Sequence, residues 1–291
     1  MKLTISLDRG KSDRWISLIS DIVRSGSITH SSPDKLIGEL SFAQTAIFGK
    51  FARTLAQPLY DMLHAQPYRE DLSSELITNL EWWRRALASV QSRVVSVRPR
   101  FPKYIIYSDA SWSGKRDQGR IAALLFHRSS GQLLETLSSA VPSRLASLFR
   151  DSSVIYGLEL FALVASFAVW QDRLAGYQAT AYVDSDPSSN GVVRGSAPHH
   201  IAQNFIRRFW QLALILSIAV WLGRVPSPIN WADMPTRAVT IPIKSDSARE
   251  FPCLDELINL FLAQWPDGPR MKIMKPNRSL PLIHPLKYIV H

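Results

Sequence analysis

A single cysteine, Cys253, stands among 291 residues. One thiol cannot build an intrachain disulfide framework or a zinc site of several thiolates. That usage suits a reducing compartment, so an intracellular location, cytoplasmic or nuclear, is expected. Long apolar runs are also missing. The richest stretches, Leu158–Trp170 and Trp210–Gly223, are too short to span a bilayer, and the first contains Glu159. The opening "MKLTISLDRGKSDRW" has no uninterrupted apolar core of the kind a secretory signal needs. No membrane partner is therefore expected. No internal repeat is visible. Acids are the minority charge, 24 Asp and Glu against 34 Lys and Arg, for a net charge of +10. That balance favours an acidic partner, with nucleic acid the first candidate. Hydrophobic residues make up 46% of the chain, enough to bury a core in a chain whose length suits about two domains.

The texture changes along the chain. Residues 1–92 read as mostly helical. Trp15, Ile16, Leu18, Ile19, Ile22 and Val23 share one helix face in "SDRWISLISDIVRSG". A second helix is expected over "KLIGELSFAQTAIFGKFARTLAQPLYDML", with Gly38 and Gly49 available for close backbone approach. A third fits "SSELITNLEWWRRALASV". In it Trp82 and Trp83 suit either a core or base stacking. The basic "QSRVVSVRPRFP" reads as a linker. Beyond it come "KYIIYSDAS", "GRIAALLFHR" and "QLLETLSSAV", three strand-like runs, and then a helix at "VIYGLELFALVASFAVWQDRLAG". A strand at "YQATAYVDSD", a helix at "APHHIAQNFIRRFWQLALILS", a strand at "IAVWLGRV" and a helical start at "NWADMPTRA" complete the order βββαβαβα. This order implies an α/β fold, a mixed five-stranded sheet flanked by helices and preceded by a small helical domain. Domains are expected at 1–92 and 100–240, with a C-terminal extension over 241–291.

Four acids need explaining. Asp109 and Asp184 each end an apolar strand and are each followed by Ser or Ala and Ser. Glu159 sits in a helix that is apolar on nearly every side, and burying an unpartnered carboxylate costs several kcal/mol or more, so it calls for a partner. Asp233 follows the fifth strand. Strands one and four can be neighbours, which would set Asp109 and Asp184 side by side, with Glu159 aimed at the same point from the first helix. Carboxylates that crowded repel unless a cation lies among them, and magnesium is the natural hard cation for oxygen ligands. Each acid also has a plainer role open to it. Asp109 can close a turn, Glu159 can pair with Arg208, and Asp233 can be a first-turn helix acid behind an Asn230 cap. Asp186, followed by Pro187, reads as a helix cap. The pair His199–His200 reads as a solvated helix start.

The ordered set Asp109, Glu159, Asp184, Asp233 on strand, helix, strand and final helix resembles the ribonuclease H domain. More narrowly, "IYSDAS", "GLELFAL", "YVDSDPSSNGVVRG" and "WLGRVPSPINWADMPTR" look like that domain in retrotransposon reverse transcriptases. The resemblance covers about residues 100–240. The upstream "DKLIGELSFAQTAIFGKFARTLAQPLYDML" and "LEWWRRAL" look like the connector that follows the polymerase there. The resemblance implies hydrolysis of the RNA strand of an RNA–DNA hybrid with two magnesium ions, for which manganese can substitute. Asp109 would bridge both ions, Glu159 and Asp184 would flank it, and Asp233 would complete one shell. Ser111, Asn190, Arg194 and Arg224 are the candidate substrate contacts. Two features depart from that pattern. The loop "GRVPSPIN" lacks the histidine many members carry there, leaving Arg224 or Arg237 as substitutes. The polymerase signature Tyr-x-Asp-Asp is also absent, its nearest string being "YVDSD". The chain is therefore expected to be the carboxy-terminal part of a retroelement polyprotein, or a relic of one, and not to make DNA by itself. A catalytically silent nucleic-acid-binding module, or another nuclease such as a resolvase or exonuclease, are the alternatives of the same fold.

Overall fold

The structure is a computed structural model. It describes residues 2–28, 32–65, 71–89, 92–96, 101–113, 119–149 and 153–263. They fall into two units, one within residues 1–99 and one within 100–263. The proline-rich and basic C-terminal stretch lies outside the described residues. Among those described, no helix is long and apolar enough to cross a membrane.

The first unit opens with strand β1 (Lys2–Ser6) and helix α1 (Arg9–Ser25). Asp8 caps α1 by accepting from the Lys11 N–H at 2.9 Å, and Gly26 ends it at a φ of 68°. Helix α2 (Ser32–Ala43) runs through a π-helical turn (Gln44–Phe48) into α3 (Gly49–Leu63). The single long helix expected here is therefore interrupted. The break falls at Gly49, whose φ of 66° a side chain would resist. Helix α4 (Ser74–Ser89) carries Trp82 and Trp83, both fully buried and set edge-to-face at 5.5 Å, with Phe48 against each. Buried rings are unavailable for base stacking, so the core reading holds. Strand β2 (Ser92–Ser96) pairs antiparallel with β1, Ser6 opposite Ser92. The segment read as a linker is half of a two-stranded ribbon.

The second unit contains β3 (Tyr104–Trp112), β4 (Gly119–His127) and β5 (Leu133–Ala140), joined as an antiparallel meander. A short helix α5 (Ser143–Ala146) leads to α6 (Val154–Val169), then α7 (Gln171–Leu174) and β6 (Gln178–Val183). Helix α8 (Asp186–Arg194), α9 (His200–Ile215), β7 (Ala219–Arg224), the one-turn α10 (Asp233–Thr236), β8 (Ser247–Arg249) and α11 (Leu254–Leu262) follow. The sheet order is β7-β6-β3-β4-β5-β8, with β6 parallel to both β3 and β7. The expected mixed sheet flanked by helices is present, with six strands in place of five. The sixth, β8, is three exposed residues paired parallel to β5. It is anchored where Arg249 meets the buried Glu135 at 2.6 Å.

Alternation along β3 sorts its side chains between two faces. Tyr104, Ile106 and Ala110 enter the main core with α6 and α9, where Leu158, Phe161, Phe167, Phe205 and Phe209 interlock. Ile105 and Tyr107 face a smaller cluster of Leu124, Phe126, Leu133 and Ala232, joined by Trp231, Ile241 and Ile243. Residues 241–263 thus belong to this unit, and Phe251, Ile258 and Phe261 enter its main core.

Candidate active site

Tyr107 of β3 is level with Tyr182 of β6 in the parallel pairing. Asp109 and Asp184 each lie two residues further along; Asp184 is the first residue past β6, whereas Asp109 does not end its strand as expected, since β3 runs on to Trp112. Glu159 is on the second turn of α6, which packs across β3. Asp233 opens α10. The Thr236 hydroxyl lies 2.8 Å from Asp109 Oδ2 and 2.8 Å from the Asp233 carbonyl oxygen, tying the last acid to the first.

The charges of Asp184, Asp233 and Glu159 all act on Asp109, and that of Asp184 acts on Glu159 as well. Asp109 is only 4% exposed. Burial is the main reason its carboxyl is pushed up to about 7. The Thr236 hydroxyl opposes the shift, and the charges of Asp184, Asp233 and Glu159 add to it, in that order. Burial likewise raises Glu159. Hydrogen bonds from Ser185 and Ser188 pull the other way, and Asp184 again adds repulsion. The Ser188 hydroxyl donates to Glu159 Oε2 at 2.7 Å. Asp233 holds the exposed Arg237, whose Nε donates to both carboxylate oxygens at 2.8 Å. That pairing raises the Arg237 pKa, with Asp109 and Asp184 contributing through their charge.

The short helix α10 is fixed by side chains from the sheet. Arg120 Nε and Ser138 Oγ donate to the Pro235 carbonyl at 3.3 and 3.2 Å, and Ser111 Oγ donates to the Thr236 carbonyl at 2.9 Å. Asn230 donates from Nδ2 to the Ser108 carbonyl at 3.3 Å and accepts from the Ala232 N–H at 3.3 Å. The helix expected after "NWAD" stops after one turn because Ala238 takes a φ of 57°. Its terminal carbonyls are satisfied by side chains together with turn bonds, the Met234 carbonyl accepting from the Val239 N–H at 2.9 Å and the Pro235 carbonyl from the Ala238 N–H at 3.3 Å.

Other expectations shift by a residue or a partner. The cap of α8 is Ser185, which accepts from the Ser188 N–H at 3.3 Å. Asp186 follows in the first turn and pairs with Arg224 at 3.0 Å. Arg208 does not meet Glu159. It donates to Gln211 Oε1 at 2.7 Å and to the Ala263 carbonyl at 2.6 Å. His199 caps α9, accepting from the Ile201 N–H at 3.3 Å. Among the candidate substrate contacts, Ser111 is engaged with α10, Arg224 with Asp186, and Asn190 and Arg194 are exposed one turn apart on α8. The hydroxyls of Thr236, Ser185 and Ser188 were not among the candidates. The spacings Asp-x-x-Thr in "DMPT" and Ser-x-x-Ser in "SDPS" are the only signals that could have found them.

The donor set is all carboxylate oxygen, which suits a hard divalent cation. Burial and three neighbouring acids weigh on Asp109, so the chemistry of the site fits magnesium. The side chains as arranged do not enclose an ion: among the described residues, no three His, Cys, Asp or Glu side chains are grouped closely enough to hold one.

No protein-family model matches the chain, and no curated protein does. Fourteen solved chains match. The N-terminal RNase H domain of Rv2228c from Mycobacterium tuberculosis, solved as a fusion with maltose-binding protein, shares 16% identity over 47% of this chain and 93% of its own, at a TM-score of 0.38. LC11-RNase H1 in complex with an RNA/DNA hybrid shares 14% over 47% of this chain and 96% of its own, at 0.37. Prototype foamy virus protease-reverse transcriptase shares 12% over 52% of this chain and 22% of its own, at 0.33. At TM-scores this low none of them bears on what the site does, which is read from its own geometry.

Proposed function

We propose that the second unit is a metal-dependent endonuclease of ribonuclease H type that hydrolyses the RNA strand of RNA–DNA hybrids, as the C-terminal part of a retroelement reverse transcriptase. One observation carries the reading. Asp109 in β3 and Asp184, the residue after β6, each lie two residues beyond the paired Tyr107 and Tyr182, and the charges of Asp184, Asp233 and Glu159 all act on a buried Asp109 carboxyl. Like charges near a buried carboxyl disfavour its ionised form, and a divalent cation among them would offset that repulsion. Asp109, Glu159, Asp184 and Asp233 would hold magnesium, or manganese in its place. When bound, the metal supplies positive charge at a scissile phosphate and lowers the pKa of a bound water. The chain's own groups set the stage. Ser188 orients Glu159, Thr236 orients Asp109, and Arg237 holds Asp233. Arg194, Arg224, Asn190 and Ser111 would contact the substrate, a reading supported by the exposure of Arg194 and Asn190 on α8 and of Arg224, which also pairs with Asp186.

A second reading is a catalytically silent nucleic-acid-binding module, and one observation favours it. Both oxygens of Asp233 are spanned by the Arg237 guanidinium, which neutralises one of the four acids without a metal. A panel of RNA–DNA hybrid, duplex DNA and single strands, each with and without magnesium, separates the two. The expected outcome is cleavage of the hybrid alone, only with magnesium. In Asp109→Asn the rate should fall by more than about 100-fold, beyond what loss of an outer-shell partner costs, while hybrid binding is retained. Cleavage that survives in Asp109→Asn ends the site assignment. No cleavage by the wild type, with binding intact, establishes the silent module.

A further inference from the structure

Thr236 is 3% exposed, and its hydroxyl touches two of the four acids' residues at once. Its place is fixed from several directions. The Thr236 and Pro235 carbonyls accept from Ser111, Arg120 and Ser138, which belong to three different strands, and Asn230 pins the start of the segment to the Ser108 carbonyl. Arg120 Nη2 also donates to Ser138 Oγ at 3.0 Å, so these anchors brace one another. A β-branched side chain has few χ1 positions to choose from. The hydroxyl therefore cannot follow Asp109 if that carboxylate turns. The carboxylate must instead turn to meet the hydroxyl.

A threonine hydroxyl has one proton to donate. Donated to an ionised Asp109, it occupies one side of Oδ2 and fixes the carboxylate plane, leaving Oδ1 free for a cation. We infer that Thr236 is a positioning residue that presents Asp109 to a divalent cation, with the anchored segment Asn230–Thr236 as its support. The inference rests on the metal-dependent reading of the site. It assigns a role to a residue that holds no metal itself.

The test uses the full chain, with Thr236→Val, which keeps the shape and loses the hydroxyl, and Thr236→Ser, which keeps the hydroxyl. Magnesium binding is measured by titration calorimetry, and hybrid cleavage as a function of magnesium concentration. Thr236→Val should weaken magnesium binding by about 10–100-fold, the range for a group that orients a metal ligand. Its cleavage should recover when magnesium is raised. Thr236→Ser should stay within about threefold of wild type on the same scale. Melting in EDTA checks that both variants are folded, and Thr236→Ala replaces the valine variant if that one is not. Wild-type magnesium affinity in the folded hydroxyl-free variant overturns the inference and leaves the nuclease reading standing. So does a serine variant as weak as the valine one. A wild type that neither binds magnesium nor cleaves the hybrid overturns the nuclease reading, and this inference with it.

Discussion

Burial lifts the Asp109 carboxyl from 3.8 to about 7, and the sign of that shift sets how the metal-free protein responds to pH. An acid whose pKa is higher folded than unfolded binds its proton more tightly in the fold. Its contribution to stability is complete below about pH 4 and is lost as pH rises through about 7, a loss on the order of 4 kcal/mol. In EDTA, the denaturation midpoint of the wild type should therefore fall between about pH 4 and 8. Asp109→Asn should lack the Asp109 share of that fall, and magnesium should restore the wild type at the alkaline end. A wild-type profile as flat as that of the asparagine variant would mean that the carboxyl is not destabilised in the fold. Asp109 was legible in the sequence because an acid directly after an apolar run conflicts with its surroundings, although β3 continues past it to Trp112. Glu159 was legible for the same reason. Their hydroxyl partners were not, since serine and threonine are satisfied almost anywhere and leave no conflict to notice. The plainer alternative for Glu159, a pair with Arg208, is absent for a related reason. Burial, with the neighbouring Arg207 charge adding to it, pulls the Arg208 pKa down to about 10, and Arg208 spends its donors on Gln211 and a main-chain carbonyl.

Helix α6 delivers Glu159, and its fit depends on a residue with no side chain. A Cβ on Gly157 would come within 2.2–2.4 Å of the Phe149 ring. That ring is itself held among Phe205 and His199 at centroid distances of 6.0 and 5.4 Å. Gly157→Ala should therefore displace either the ring or the helix, costing about 1–3 kcal/mol as overpacking of a core does. Because Glu159 lies two residues on, the same variant should also lower cleavage by more than its loss of folded protein accounts for. A denaturant midpoint equal to wild type would show that Phe149 moves aside freely. Elements with a strong hydrophobic period were readable before the structure. Strands β3 to β7, and helices α1, α4, α6 and α9, follow from alternation or a helical stripe. Those missed have no such period. β1 exposes Leu3 and Ile5, and β8 is three exposed residues held by the Arg249–Glu135 pair; α10 was expected from "NWADMPTRA", and only its length of one turn was not legible. The order of the elements, and so the end of the sheet at which Asp109 and Asp184 meet, was legible. The helix break at Gly49 and the one-residue shift of the α8 cap were not, because both depend on local hydrogen bonds that several neighbouring residues could have made.

The chain as a whole carries a net charge of +10, while the proposed site gathers negative charge. A polyanionic hybrid is therefore repelled at the carboxylates and must gain its affinity elsewhere, from Lys and Arg along the backbone path. Two consequences separate this arrangement from binding driven by the site. Affinity for the hybrid should fall steeply with salt, with a slope of log K against log salt of about −3 or steeper if three or four phosphates are neutralised. Arg194→Ala, which removes an exposed cation at the end of α8, should weaken binding to every duplex alike and make that slope shallower by about 1. Asp109→Asn removes a negative charge from the site, so it should leave the slope unchanged and bind the hybrid at least as tightly as wild type. The measurement is a fluorescence-anisotropy titration over a range of salt concentrations, in EDTA so that cleavage does not intervene. A slope near zero would mean that the basic excess does not contact phosphate. The proposed site would then have no source of affinity to overcome its own repulsion, and the hybrid would have to be abandoned as the substrate, whatever the carboxylates hold.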